Sequence, residues 1–240
     1  MSIGNEAAAI DAVNSRSRKS KEYVICISIL LVLTALFRFT DLDLRLGDLF
    51  FTPEEGWKYS SSVFCTLVYE YGELPGLALT AAAGVVLVLG WFKTRFVRYR
   101  KPALFVVLLL AIGPGLVVNG FMKYQSGRPR PRDVAVFSGT QPFHKVGEMG
   151  VAGTGNSFPS GHAAMGFFLA APYFILRGSN RGRAVYWLVL GLSSGVVIGM
   201  VRMAQGGHFA SDILWAWGIV HLTALGLSSL LQLDTSKAAA

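Results

Sequence analysis

The ionisable residues of this 240-residue chain collect where its apolar runs end. Three groups stand out: Lys123-Tyr-Gln-Ser-Gly-Arg128-Pro-Arg130-Pro131, Phe158-Pro159-Ser160-Gly161-His162, and Arg202-Met-Ala-Gln-Gly-Gly-His208-Phe-Ala-Ser-Asp212. Their residue types are those of a phosphate site. Lys123, Arg130 and Arg202 offer fixed positive charge, and the arginines can hold phosphate oxygens in a bidentate fork. Ser160 is placed to cap a following helix, which leaves the backbone N–H groups near Gly161 and His162 facing an anion at the positive end of the helix dipole. Gly161 lets a ligand approach the backbone closely. Arg128 is an additional cation that would meet a second anionic group on the same ligand.

The histidines supply the reactive chemistry. His208 and Asp212 are four residues apart, one face of a helix, so the carboxylate would take the Nδ1 hydrogen and leave Nε2 as an unprotonated nucleophile. Gly206 and Gly207 would break the preceding helix and free His208 to turn toward the site. His162 would then protonate the departing alkoxide. Together these steps make a two-step phosphoryl transfer through a phosphohistidine, with cationic side chains stabilising the equatorial oxygens. Taken singly, each feature has a plainer reading: snorkelling anchors for the basic residues, helix capping for Pro159-Ser160-Gly161-His162, and a structural hydrogen-bonded pair for His208 and Asp212. Their combination is what points to chemistry.

The elements that must hold these groups are membrane helices. Hydrophobic residues make up 52% of the chain and charged residues only 15%, against about a quarter charged in soluble domains. Mean hydropathy is +0.48. Six apolar segments approach the roughly 20 residues that cross a bilayer: Tyr23 to Phe39, Ser61 to Phe92 (mostly after Pro75), Pro102 to Met122, His162 to Leu176 (extending back through Ser160), Ala184 to Val201, and Ile213 to Leu231. The first follows a basic stretch, as a signal peptide would, but no small-residue cleavage site ends it, and it reads as a retained span with Arg38 and Asp41 as its interfacial flank.

Crossing inward after His162 and back out to Arg202 returns the chain to the face where Lys123 ends an outward crossing. All three groups therefore meet at one membrane face. The net charge of +8 gives the orientation. With the N terminus cytoplasmic, 13 of the 22 basic residues fall on the cytoplasmic side: Arg16, Arg18, Lys19, Lys21, the five of Lys93 to Lys101, the three of Arg177 to Arg183, and Lys237. This asymmetry predicts both termini in the cytoplasm and the site at the external face. A basic chain might suggest nucleic acid, but here the charge is divided among membrane loops, and no nucleic acid is expected.

At this stage the three groups resemble a known set. Lys123-x6-Arg130-Pro131, Pro159-Ser160-Gly161-His162 and Arg202-x5-His208-x3-Asp212 look like the signature motifs of the type 2 phosphatidic acid phosphatase family, metal-free integral-membrane lipid phosphatases. The resemblance spans about 90 of the 240 residues and implies six spans with an external site. One departure is Val201, where the family often has a serine before the third-motif arginine. The strings Gly113-Pro-Gly-Leu-Val-Val-Asn119, Gly-Arg-Pro-Arg-Pro and Arg202-Met-Ala-Gln-Gly-Gly-His208 look similar to bacterial lipid A phosphatases.

The expected molecule is an all-α, six-transmembrane helical bundle, one integral-membrane phosphatase domain over 1–240, with 1–22 a cytoplasmic tail and its motifs between 123 and 212. It would sit in the bacterial inner membrane with its site facing the periplasm. Its partners would be the bilayer and a membrane lipid phosphate, with no obligate protein partner evident. The best specific substrate is lipid A, with phosphatidylglycerophosphate, phosphatidic acid or undecaprenyl diphosphate as alternatives; an anion transporter is the rival from another class. No cofactor or metal is expected, because His208 and Asp212 are the only ligand-like spacing and no acidic cluster accompanies them.

Several other features receive plainer readings. Cys26 and Cys65 read as packing residues without redox chemistry. His221 reads as a packing residue in mid-span, and His144 as solvated in the external loop. Glu70 and Glu73 would pair with unspecified basic residues. Trp57, Trp91, Tyr99 and Trp215 read as interface anchors. The stretch from Asp41 to Ser60 suits either an amphipathic segment at the outer interface or a plain loop.

Overall fold

The computed structural model describes residues 3–233, with side chains from residue 20 onward; Lys237 lies outside the described residues, as do the side chains of Arg16, Arg18 and Lys19. The first helix, α1 (Ile3–Phe39), runs without a break through the stretch read as a tail. A short α2 (Leu42–Asp48) and a small antiparallel hairpin, β1 (Phe51–Thr52) with β2 (Gly56–Trp57), follow. The second expected span is an elbow of α3 (Val63–Tyr71) and α4 (Leu74–Phe92), the latter starting with Pro75 in its first turn, where a missing N–H costs nothing.

After a 3₁₀ turn at Thr94–Tyr99, α5 (Arg100–Leu110) leads into a π-helical stretch, Ala111–Met122. This widened stretch contains Pro114, which cannot donate to the helix ladder. The Asn119 side chain donates to the Pro114 carbonyl at 2.8 Å, a side-chain bond within the widened stretch. The short α6 (Lys123–Ser126) then carries Lys123 to the face where the site forms.

The remaining helices are α7 (Gly161–Phe168), α8 (Ala171–Leu176), α9 (Arg181–Ala204) and α10 (Ala210–Leu230). Pro172 at the start of α8 explains why the fourth apolar segment is two short helices. Together they cover Gly161–Leu176, roughly 24 Å at 1.5 Å per residue and short of a full hydrocarbon layer. Among the described residues, five other helical stretches are long and apolar enough to cross a membrane: Ser20–Phe39, Val63–Phe92, Thr94–Asp133, Arg181–Ala204 and Ala210–Leu230.

The core is made by α5, α7, α8 and α10 around Phe105, Leu109, Phe168, Phe174, Ala216 and Ala224. The described side chains of α1, with those of α3 and α4, are instead largely outward-facing and apolar, as suits lipid contact. Small residues set the closest approach. A Cβ on Gly166 of α7 would lie 2.7 Å from the Gly195 backbone on α9, so only glycine permits this crossing. That contact fixes the ends of α7 and α9, and with them His162 and Arg202.

At the opposite end of the bundle, Arg177 bonds Glu22 and Ser228, tying α1 and α10 to the end of α8. His221 lies between the rings of Phe174 and Trp217, in the packing role its mid-span position suggests.

Candidate active site

Helix α9 ends at Ala204, where Gly206 adopts φ +64°, a left-handed conformation that side chains rarely adopt. A Cβ there would also meet Trp57 at 2.4 Å, so this tryptophan is packed against the turn with Phe51 and Phe137 and is not an interface anchor. Trp215 likewise turns inward, bonding Thr34 on α1 at 3.0 Å.

The glycine turn places His208 ahead of α10, whose cap is Phe209. His208 and Asp212 therefore do not share a helical face in the way their spacing suggests. Asp212 stands in the first turn and caps it, its Oδ2 accepting the Phe209 N–H at 2.8 Å. The His208 Nδ1 lies 2.6 Å from the Ser157 carbonyl oxygen and 3.5 Å from Asp212 Oδ2. The carbonyl is thus the close acceptor for Nδ1–H, with the carboxylate as electrostatic support behind it. Either way Nε2 is left bare. Burial holds the imidazole below the ordinary histidine range, opposed by the neighbouring carboxylate, which favours the neutral nucleophilic form.

Asp212 is wholly buried, and its carboxylate is saturated by Phe209 N–H, by the Ser157 hydroxyl at 2.6 Å and by Arg128 Nη1 at 2.6 Å. This corrects the reading of Arg128 as a head-group contact. Its guanidinium is only 1% exposed and also donates to Asp43 Oδ2 at 2.8 Å, Ser211 Oγ at 2.7 Å and the His144 carbonyl at 2.9 Å. The rings of Phe209 and Phe143 flank it, with centroids 4.4 and 5.8 Å away. A cation this enclosed cannot reach a substrate; it stiffens the base of the site.

Asp43 comes from α2 and also accepts from the Ser211 N–H at 2.9 Å. The stretch Asp41 to Ser60 is thus more than a plain loop, folding as α2 and the β1–β2 hairpin. It delivers a carboxylate to the base of the site, a role no spacing in the sequence signals. His144 is half-buried rather than solvated, and contributes its carbonyl.

Around His208 stand the cations. Arg202 is 4% exposed; its Nη1 bonds Gln205, its Nε is buried without a partner among the described residues, and its Cζ lies 4.4 Å over the Tyr69 ring. An unpaired buried guanidinium N–H is costly unless an anion meets it, which fits phosphate binding. Lys123 bonds Asn119 Oδ1 at 3.2 Å and lies within electrostatic range of Arg130, Arg202, Glu73 and Asp212. Arg130 is steered by Asn156, whose Oδ1 accepts from Nε at 2.8 Å.

Ser160 caps α7 as its position predicts, accepting from Ala163 N at 3.4 Å, and the first-turn N–H groups of Gly161 and His162 lie outside the helix ladder. The absent side chain of Gly161 makes room for Asn119, whose Oδ1 would lie 2.6 Å from a Cβ there; it does not clear a path for a ligand. His162 is partly exposed, its ring stacked on Tyr69 with centroids 4.8 Å apart and its Nδ1 3.6 Å from Glu73 Oε1. Among the described residues no three His, Cys, Asp or Glu side chains stand together as a metal-ion cage.

The residues that could transfer a phosphoryl group thus lie within electrostatic range of those that could bind it: His162 of His208, Arg202, Lys123 and Arg130. The model of the PAP2 superfamily matches residues 103–235, which include all three motifs. The chain belongs to the PAP2 superfamily. Among curated proteins this PAP2 chain is similar to a lipid A 4'-phosphatase of Francisella tularensis subsp. novicida, 37% identical over 128 residues, which are 53% of this chain and 57% of that protein. Lipid A 4'-phosphatases of Rhizobium leguminosarum and Rhizobium etli are 32% and 33% identical over 110 residues, 45% of this chain and 46% and 41% of theirs. The chain spans about half the length of the curated relatives it matches. No solved structure matches it.

Proposed function

We propose that this protein is a metal-independent lipid phosphatase that works through a phosphohistidine, with lipid A as substrate. The observation that carries the reading is His208: a buried imidazole whose Nδ1 is held 2.6 Å from the Ser157 carbonyl, which leaves Nε2 available, within electrostatic range of Arg202, whose buried Nε has no partner among the described residues. In the first step His208 Nε2 attacks phosphorus, the P–O ester bond breaks and His162 gives its proton to the leaving alkoxide. In the second, His162 takes a proton from water, the water oxygen attacks phosphorus and the P–N bond breaks, releasing inorganic phosphate. Lys123, Arg130 and Arg202, with the N–H groups of Gly161 and His162, stabilise the equatorial oxygens.

Lipid A is favoured over phosphatidylglycerophosphate, phosphatidic acid or undecaprenyl diphosphate because the curated relatives named above carry that activity in their names. The membrane reading is that Gly161–Leu176 completes six spans, that both termini face the cytoplasm and that the site opens to the periplasm of a bacterial inner membrane. Its support is the concentration of basic residues on one set of loops.

The test is phosphate release from lipid A by the purified chain in detergent micelles with EDTA present. His208→Ala should abolish it; full activity in that variant ends the nucleophile assignment, and activity lost to EDTA and restored by magnesium ends the metal-free one. A membrane-impermeant thiol reagent on intact spheroplasts should modify Ser138→Cys and spare Thr94→Cys, and the reverse pattern would invert the topology.

A further inference from the structure

The α3–α4 elbow lies outside the matched family region and places two side chains beside His162 that none of the three motifs contains. The Tyr69 ring lies nearly parallel to the imidazole, 22° between planes, and carries the Arg202 guanidinium at 4.4 Å. Glu73, half-buried at the elbow, presents Oε1 3.6 Å from His162 Nδ1, a charge-pair distance slightly longer than a direct hydrogen bond. The two ring nitrogens of an imidazole lie on separate edges. With Nδ1 turned to Glu73 and the ring plane set by Tyr69, Nε2 is the nitrogen left for the leaving group.

We propose that Glu73 is a positioning residue for His162, holding the imidazolium that gives up its proton in the first step. The inference rests on the reading of His162 as that step's acid. Its proton balance is simple. The proton leaves Nε2 for the alkoxide as the P–O bond breaks; Nδ1 keeps its hydrogen, directed at the Glu73 carboxylate, and the neutral imidazole is then ready to take a proton from water. Glu73 would stand to His162 as Asp212 and the Ser157 carbonyl stand to His208. This gives each histidine its own acceptor.

Glu73 also lies within electrostatic range of Lys123, so a different role is conceivable: tuning a phosphate-binding cation. The two roles separate by leaving group. A residue that helps deliver a proton matters for an alkoxide, which cannot leave without one, and hardly matters for 4-nitrophenolate, which can. A residue that supports phosphate binding affects both substrates alike.

The experiment compares kcat/KM for lipid A and for 4-nitrophenyl phosphate, using the purified full chain in micelles; kcat/KM covers events up to phosphoenzyme formation, so the hydrolytic step does not enter. His162→Ala should lower the lipid A value on the order of 10²-fold, the lower end of a general acid's contribution, with a far smaller loss on the aryl ester. Glu73→Gln should lose roughly tenfold on lipid A and less than about threefold on the aryl ester, a fraction of the same effect. Retained aryl activity also shows that the variant is folded. Should Glu73→Gln fail to fold, Glu73→Asp, which withdraws the carboxylate by one methylene, gives the same comparison. Equal losses on both substrates, or none, alongside a selective His162→Ala overturn the role of Glu73 and leave His162 as the acid. A His162→Ala variant without selectivity removes the acid assignment, and the role of Glu73 falls with it.

Discussion

Replacing Arg128 by alanine separates two readings of the same residue. As a head-group contact, it would be dispensable for folding and its loss would appear in KM. In the structure it neutralises two carboxylates, Asp43 at 2% exposure and Asp212 at 0%, and donates to two further oxygens. Breaking one buried ion pair by deleting a partner costs about 3–5 kcal/mol, because the remaining charge stays buried and uncompensated. Arg128→Ala strands two such charges, so the expected loss is at the top of that range or beyond, a large part of the roughly 5–15 kcal/mol that holds a domain together. Asp43→Asn should be milder, since Arg128 keeps Asp212 and the amide can still accept a hydrogen bond. Thermal unfolding in micelles, read with kcat and KM on the same preparations, decides the matter. The expected order of melting temperature is wild type, then Asp43→Asn, then Arg128→Ala, with activity falling as the base of the site loosens. An Arg128→Ala protein that melts with the wild type and differs only in a raised KM would refute the argument.

Three more outcomes follow from the geometry. Gly207→Ala would put a Cβ 2.4 Å from the Arg202 guanidinium, the movable end of a flexible side chain, so stability should be kept while kcat/KM falls about 10–100-fold, the equivalent of losing one charge-assisted hydrogen bond; unchanged kinetics would mean that Arg202 does not bind the phosphate where it now lies. Asp212→Asn should cost less than the roughly 10⁴-fold seen when the analogous change upsets a catalytic tautomer, because the Ser157 carbonyl at 2.6 Å already fixes the His208 hydrogen on Nδ1; a loss of that full size would show that the carboxylate, not the carbonyl, sets the tautomer. His208 must be unprotonated to attack, and burial lowers its proton affinity, so the acid limb of kcat/KM against pH should lie below the ordinary histidine value of about 6.5 and activity should persist as pH falls through it. A limb above that value would contradict a buried neutral nucleophile.

Much of the site was legible because its chemistry resides in short, spaced strings. Ser160 before α7, the glycine break before His208, and cations at the ends of apolar runs are local features, and local rules of capping, backbone freedom and span length read them correctly. Errors came where a partner lies far along the chain. Asp43 is 85 residues from Arg128, and its amphipathic surroundings read as an interface because nothing nearby indicates a buried acceptor. Glu73 reads in the sequence only as one half of an unassigned charge pair, and Tyr69 carries no signal, since the approach of α3 to His162 depends on how the elbow seats against α9. His208 and Asp212 do meet, 3.5 Å apart, but as a residue just ahead of α10 and one in its first turn rather than as two positions on one helical face.

What the sequence by itself determined is the set of candidate groups and their placement at the ends of apolar runs, and the folded helices bring Lys123, His162, Arg202 and His208 within electrostatic range of one another. Only the tertiary structure decided which cations face outward and which are spent internally. Arg128 and Arg202 are the same residue type and similarly buried, but two carboxylates close around one, while the other keeps a buried N–H without a partner among the described residues. The difference is set by desolvation. A buried guanidinium is costly unless anionic groups compensate it, and which segments supply those groups is a property of packing, not of any local string.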